Sequence, residues 1–73
     1  MTGDDKFLVR FGHRVRELRE AKGLSQEAFA EECGLDRTYI SGVERGKRNI
    51  GVENVRVIAI SLGVSLSILF EGL

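Results

Sequence analysis

Residues 25–46 read SQEAFAEECGLDRTYISGVERG, and the spacing of their polar, small and apolar residues predicts two short helices joined by a tight turn. Ser25 and Asp36 each stand directly before a run with helical periodicity, which is where an N-cap residue is needed. Gly34 supplies the positive φ that the turn requires. Ala30 is small enough to let the two helices approach closely. The stretch therefore predicts a compact helix-turn-helix unit.

Three further helices are predicted around this unit, at about residues 5–22, 52–61 and 66–71. Each shows apolar residues at steps of three and four, and a glycine follows each of the first two. A strand at residues 55–60 finds no partner elsewhere in the chain, so the predicted fold class is all-α with five helices. The predicted apolar stripes are Leu8, Phe11, Val15 and Leu18 in the first helix, and Val52, Val55, Ile58, Ala59 and Leu62 in the fourth.

Length and composition exclude several classes of function. A chain of 73 residues has room for one domain, and we expect residues 1–5 of it to be disordered. The single cysteine, Cys33, and the single histidine, His13, exclude a disulfide framework and a His/Cys metal site. No apolar run approaches the roughly 20 residues that span a bilayer, and the acidic N-terminus is unlike a secretory signal. We expect a cytoplasmic protein that has no cofactor and is not an enzyme.

Charge is unevenly distributed along the chain. Basic and acidic residues number 11 each, so the formal net charge is zero, yet residues 36–50 hold four basic residues against two acidic ones. This net-positive stretch covers the third helix and the loop after it. If Ile40 and Val43 face the core, the N-terminal, outward face of the third helix is left unpacked, and such a helix can enter a DNA major groove. That predicted face comprises Arg37, Thr38, Ser41 and Gly42.

Several short motifs resemble the helix-turn-helix family of phage repressor and Cro type. They are GLSQE at 23–27, Ala30, TYIS at 38–41 and ERG at 44–46. Residues 35–45, followed by Arg48-Asn49, are similar to the controller proteins of restriction–modification operons, although stand-alone phage regulators share the same string. The resemblance covers about residues 7–71.

The resemblance implies a five-helix, lambda-repressor-like DNA-binding domain. Its helix-turn-helix lies at about residues 25–45 and its dimerisation region at about 52–73. The expected partners are a two-fold symmetric operator in double-stranded DNA, a second copy of the chain, and RNA polymerase as a further candidate. The expected function is sequence-specific regulation of transcription, either by activation or by repression.

Position within the motif suggests a role for each polar residue. Arg37 opens the recognition helix, where a guanidinium reaches guanine O6 and N7 with two hydrogen bonds. In the family, the residue matching Gln26 contacts a phosphate, and many members carry a long polar side chain where this chain has Gly42. Tyr39 either contacts phosphate or packs over the second helix. The predicted base-reading residues are Arg37, Thr38 and Ser41, and the predicted backbone contacts are Gln26, Tyr39, Arg45, Lys47, Arg48 and Asn49.

Two further predictions concern architecture. Arg19 and Glu44 match a family pair that forms a buried salt bridge, which would fix the angle of the third helix. Helices four and five carry more apolar surface than one core stripe needs, which indicates an interface between two copies. The predicted interface residues are Val57, Ile60, Leu66 and Ile68, with Leu73 as an addition.

One alternative function stays open at this point. An antitoxin-type interaction module keeps the same fold but binds a protein partner. The zero net charge and Gly42 favour this alternative slightly, whereas the basic residues around the third helix favour DNA.

Overall fold

The structure, a computed structural model, describes residues 6–73 in full and residues 2–5 as helical backbone only. Within residues 2–73 the chain forms five helices and no strand, which confirms the predicted all-α fold. The second and third helices begin directly after Ser25 and Asp36, as the predicted N-caps indicated. The expected disorder of residues 1–5 lies outside the fully described residues. The helices are α1 (Thr2–Ala21), α2 (Gln26–Cys33), α3 (Arg37–Glu44), α4 (Val52–Leu62) and α5 (Leu66–Leu69).

Local capping accounts for where α2 and α3 begin. The Ser25 hydroxyl accepts a hydrogen bond from Ala28 N at 3.0 Å, and the Asp36 carboxylate accepts one from Thr38 N at 3.1 Å. Each bond satisfies a backbone N–H that has no partner inside its helix. Gly34 ends α2 with a φ of +70°, a left-handed conformation that favours glycine. Only residues 34–36 separate the two helices, so their relative orientation is closely constrained.

The core lies where α3 meets α1 and α2, and where α2 meets α4. The predicted apolar stripes of α1 and α4 supply half of the ten buried apolar residues, and α3 supplies Ile40 and Val43 as expected. Val52 is an exception, because it is 85% exposed although its spacing placed it on the buried stripe of α4. It is the first residue of that helix and lies before the part of α4 that is buried against the core. The buried apolar residues are Phe11, Val15, Phe29, Ala30, Ile40, Val43, Ile58, Ala59, Leu62 and Leu69.

Backbone meets backbone where α1 crosses the C-terminal end of α3. A Cβ atom added to Gly12 would lie 2.6 Å from the carbonyl oxygen of Glu44 and closer still to that of Val43. Gly46, just after α3, is in a similar position, since a Cβ there would lie 2.7 Å from Val9 Cα. The two glycines therefore set the distance at which α1 supports α3.

We expect Gly12→Ala to lower the free energy of unfolding by about 1–3 kcal/mol, because two backbone carbonyl groups would have to move. The matched control is Gly42→Ala, which also lies inside a helix. A Cβ at Gly42 would meet only Arg48 Cβ, at an ordinary 3.5 Å, so the better helix propensity of alanine should stabilise the chain by up to about 1 kcal/mol. Urea unfolding measures the change in the free energy of unfolding for each variant. Equal changes would contradict the close approach of the α1 backbone to α3 at Gly12.

Candidate nucleic-acid interface

The N-terminal turn of α3 presents two of the predicted base-reading residues to solvent. Arg37 and Thr38 are exposed, whereas Ile40 and Val43 on the opposite side of the helix are fully buried. Ser41 lies one turn further along and is half-buried. This arrangement leaves the beginning of α3 free to approach a surface, while its other side is held in the core.

Gly42 does not lie on the outward face, so that expectation is wrong. The loop after α3 folds back over it: Lys47 N donates a hydrogen bond to the Gly42 carbonyl at 2.9 Å. Arg48 Cβ lies 3.5 Å from where a Gly42 side chain would begin. Residues 47–48 therefore pack against α3 at Gly42, a position with room for a small side chain only.

Tyr39 joins α3 to this loop and to α4. Its hydroxyl accepts a hydrogen bond from Asn54 Nδ2 at 3.1 Å, and the Arg48 guanidinium lies 4.8 Å from the centre of its ring. The ring is half-buried against the core. Sequence reasoning missed Asn54, because a single polar residue in an amphipathic helix carries no signal of its contact.

Uncompensated positive charge gathers at α3 and the following loop. Within residues 6–73, none of the four basic residues of this region forms an ion pair with a carboxylate, although five basic residues elsewhere do so. All four are exposed, and Arg45 Nε also donates to the Ser41 carbonyl at 3.3 Å. Such a group of cations suits a polyanion such as the DNA backbone. The four residues are Arg37, Arg45, Lys47 and Arg48.

A buried polar network ties α3 to the rest of the domain. Arg19 Nε and Nη2 donate to the two oxygens of Glu44 at 2.6 and 3.0 Å, a paired geometry that only arginine can make. Arg19 Nη1 also donates to the Leu24 carbonyl at 2.7 Å. The hydrogen bonds to Glu44 raise the pKa of Arg19 above its already high ordinary value. Arg19 and Glu44 are 7% and 4% exposed, so the network lies inside the fold.

Gln26 is part of this network as well as a predicted phosphate contact. Its Nε2 donates to Glu44 Oε1 at 3.0 Å, from the first position of α2. The second hydrogen of the amide has no partner among the described residues. That hydrogen is therefore available to an external acceptor at the positive end of the helix.

Asn49 differs from the other predicted backbone contacts. It is exposed, but it also lines an apolar cleft of about 380 Å³ that is formed by residues of α1, residues 49–55 and Phe70. The rings of Phe11 and Phe70, which line this cleft, stack with centres 5.3 Å apart.

Helices α4 and α5 expose apolar residues at most of the positions predicted for an interface. Ile60 is 64% exposed, Leu66 49% and Ile68 41%. Val57 is half-buried, and Leu73 packs against the core. Arg14 of α1 supports α5, since its Nη2 donates to the carbonyl of Ile68 at 2.8 Å.

The described residues contain neither a membrane-spanning helix nor a cluster of metal ligands. No helix in residues 2–73 is long and apolar enough to cross a bilayer. Among the side chains of residues 6–73, no three potential ligands of the types His, Cys, Asp and Glu gather as a metal site would need. The thiol of Cys33 is half-buried, and this burial raises its pKa.

Several known proteins resemble this chain both in sequence and in fold. The helix-turn-helix family matches residues 15–69. Control protein C.MunI of Mycoplasma sp is 47% identical over 66 residues, which cover 89% of each chain. The crystal structure of the restriction-modification controller protein C.AhdI from Aeromonas hydrophila superposes with a TM-score of 0.87 and 52% identity, over 90% of this chain and 96% of that one.

A further similar structure contains DNA. It is the tetramer of the controller protein C.Esp1396I in complex with its natural 35 base-pair operator, with a TM-score of 0.81 and 39% identity over 88% of this chain and 84% of that one. None of these relatives supports the antitoxin-type alternative.

Proposed function

The chain belongs to the helix-turn-helix family and, within it, to the controller proteins of restriction–modification systems, and from this premise we propose that it binds a two-fold symmetric DNA operator as a homodimer. In this role it regulates transcription. RNA polymerase stays a candidate partner, because activation or repression depends on where the operator lies relative to the promoter.

The observation that carries the proposal is the combination of exposed α3 residues with unpaired cations beside them. Arg37 and Thr38 project from the first turn of a helix whose other side is buried, which is the geometry of a recognition helix in the major groove. We expect the cations of residues 45–48 to contact the phosphates that flank such a groove. Base readout and backbone neutralisation are then supplied by one surface.

Each side chain of this surface has a proposed role. Arg37 reads a guanine with two hydrogen bonds, and Thr38 and Ser41 contact neighbouring base edges or methyl groups. Gln26 donates its free amide hydrogen to a phosphate, supported by the N-terminus of α2. The proposed remaining contacts to the DNA backbone are Tyr39, Arg45, Lys47, Arg48 and Asn49.

We propose that the dimer forms through α4 and α5, by way of Val57, Ile60, Leu66 and Ile68. We propose that the two-fold axis through this surface brings both copies of α3 to one side of the dimer. Recognition helices in such dimers lie about 34 Å apart, one turn of DNA. The half-site spacing of the operator should therefore be close to one helical turn.

We expect Ile60→Glu to raise the Kd of the dimer by about 100-fold or more, because two carboxylates would be placed in an apolar interface. The fold should be kept, since Ile60 is 64% exposed in one chain. Size-exclusion chromatography with light scattering measures the change. The matched control is Val52→Glu, which adds the same charge to the same helix at a residue that is 85% exposed and lies outside the proposed interface. Equal dimerisation of both variants would contradict the proposal.

Selection from a pool of random-sequence duplexes, carried out at two salt concentrations, tests the proposed function. A dimeric regulator recovers a symmetric site with half-sites about one turn apart. Weak binding that recovers no motif and disappears at moderate salt would show non-specific attraction only, and would contradict the proposal.

A further inference from the structure

A hydrogen bond between two helices controls the direction of the Tyr39 hydroxyl. Asn54 lies in the first half of α4, and its Nδ2 donates to Tyr39 Oη at 3.1 Å across 15 residues of sequence. An amide nitrogen is a donor only, so the phenol oxygen is the acceptor in this bond. The phenol hydrogen therefore does not point at Asn54.

No acceptor takes up that hydrogen within the described residues. Tyr39 forms no other side-chain hydrogen bond in residues 6–73, and its ring is held half-buried against the core. A phenol has one hydrogen to donate, and with the Asn54 side occupied it is directed elsewhere. The Tyr39 hydroxyl is thus prepared as a donor for a group outside the chain.

The surroundings favour an anionic acceptor. The Arg48 guanidinium lies 4.8 Å from the centre of the Tyr39 ring, and Arg48 has no carboxylate partner within the same residues. A positive charge over the ring that carries this hydroxyl donor suits a phosphate oxygen better than a neutral base edge. The loop carrying Arg48 is held in place because Lys47 N bonds to Gly42 O at 2.9 Å.

We propose that Asn54 is a positioning residue for DNA binding, which acts by orienting the Tyr39 hydroxyl as a donor to a backbone phosphate. The proposal rests on the function proposed above. It assigns to α4 a part in the DNA contact that neither the motif nor the exposure of Asn54 indicates, since Asn54 itself is half-buried. It also gives Tyr39 a contact with DNA through a hydrogen bond that the free protein has already arranged.

A double-mutant cycle tests this route of action, with the duplex that the wild-type chain recovers from the random pool. Asn54→Ala and Tyr39→Phe should each weaken binding by roughly tenfold, since the dimer loses two contacts of ordinary strength. The combined variant should bind no more weakly than Tyr39→Phe alone. If Asn54 contacted DNA directly, its replacement would still weaken binding in the Tyr39→Phe background, which would overturn the proposal.

Asn54→Asp separates orientation from simple packing. The carboxylate is nearly the same size as the amide but accepts the phenol hydrogen, so the bond between α3 and α4 is kept while the outward donor is lost. Thermal stability should then remain close to that of the wild type, whereas binding falls. The added negative charge also repels DNA, and the same substitution in the Tyr39→Phe background measures that repulsion alone. The loss of DNA binding caused by Asn54→Asp should be larger when Tyr39 is present than in the Tyr39→Phe background. Equal losses in the two backgrounds would overturn the proposal.

The outcomes distinguish this inference from the proposed function. A wild-type chain that recovers an operator, together with an Asn54→Ala variant of unchanged affinity, overturns the inference alone. A wild-type chain that recovers no operator overturns both. Circular dichroism and light scattering on every variant establish that folding and dimerisation are unchanged.

Discussion

Replacement of Arg19 by alanine is expected to lower the free energy of unfolding by about 3–5 kcal/mol, because a buried carboxylate would lose its charged partner. The side chain of Glu44 is only 2% exposed, so water cannot replace the two hydrogen bonds that Arg19 donates. Gln26 would remain as a neutral donor to it. A domain of this size has a total stability of the same order, so we expect much of the variant to be unfolded at 37 °C.

Urea unfolding followed by circular dichroism measures this loss. Arg16→Ala is the matched control, since Arg16 pairs with Glu20 at 3.0 Å on the same helix but both side chains are more than half exposed. That exposed pair should contribute at most about 1 kcal/mol. Equal losses of unfolding free energy in the two variants would contradict the claim that burial makes the Arg19–Glu44 pair more important for stability than the exposed pair. The double replacement Arg19→Met with Glu44→Leu should recover much of the stability, because it leaves no buried charge unpaired.

The contribution of the arginine should not depend on pH near neutrality. The pKa of Arg19 is raised in the folded chain, so its stabilising effect is complete below the ordinary arginine pKa and is lost as the pH rises from there through the folded value. Both values lie in strongly alkaline solution.

Arg37→Ala is expected to weaken operator binding by about 2–6 kcal/mol for the dimer, since each copy loses a paired contact worth about 1–3 kcal/mol. The fold should be unaffected, because Arg37 is exposed and forms no ion pair within residues 6–73. Specificity should also change. Selection with this variant should lose its preference at one base pair in each half-site and keep the others.

Lys47→Ala separates base readout from attraction to the backbone. A residue that contacts only phosphate should weaken binding uniformly across sequences, and should reduce the dependence of log K on log salt by about one for each lost contact. Titrations at several salt concentrations distinguish the two variants. If Arg37→Ala reduced binding equally to all sequences, Arg37 would be a backbone contact and its role in reading bases would be wrong.

Much of this fold follows from local rules. N-caps such as Ser25 and Asp36 and the left-handed Gly34 act within a few residues of themselves, so the beginnings and ends of α2 and α3 could be predicted. Apolar spacing identified the buried side of α1, α3 and α4, with Val52 as the exception because burial also depends on what lies opposite. The position of Arg37 at the start of α3, and hence its exposure, also follows from this local pattern.

Tertiary structure decided the contacts between residues distant in sequence. The bond of Glu44 to Arg19 spans 25 residues and was expected only because the two residues match a family pair. The bonds of Glu44 to Gln26 and of Asn54 to Tyr39 span 18 and 15 residues and were not expected. Periodicity assigns a residue to a face of its helix, but the partner depends on how helices cross. The crossing is set by packing, and above all by the close approach of backbones at Gly12. Local sequence thus determined the helices and the exposed position of Arg37, whereas packing between helices determined what holds and orients them.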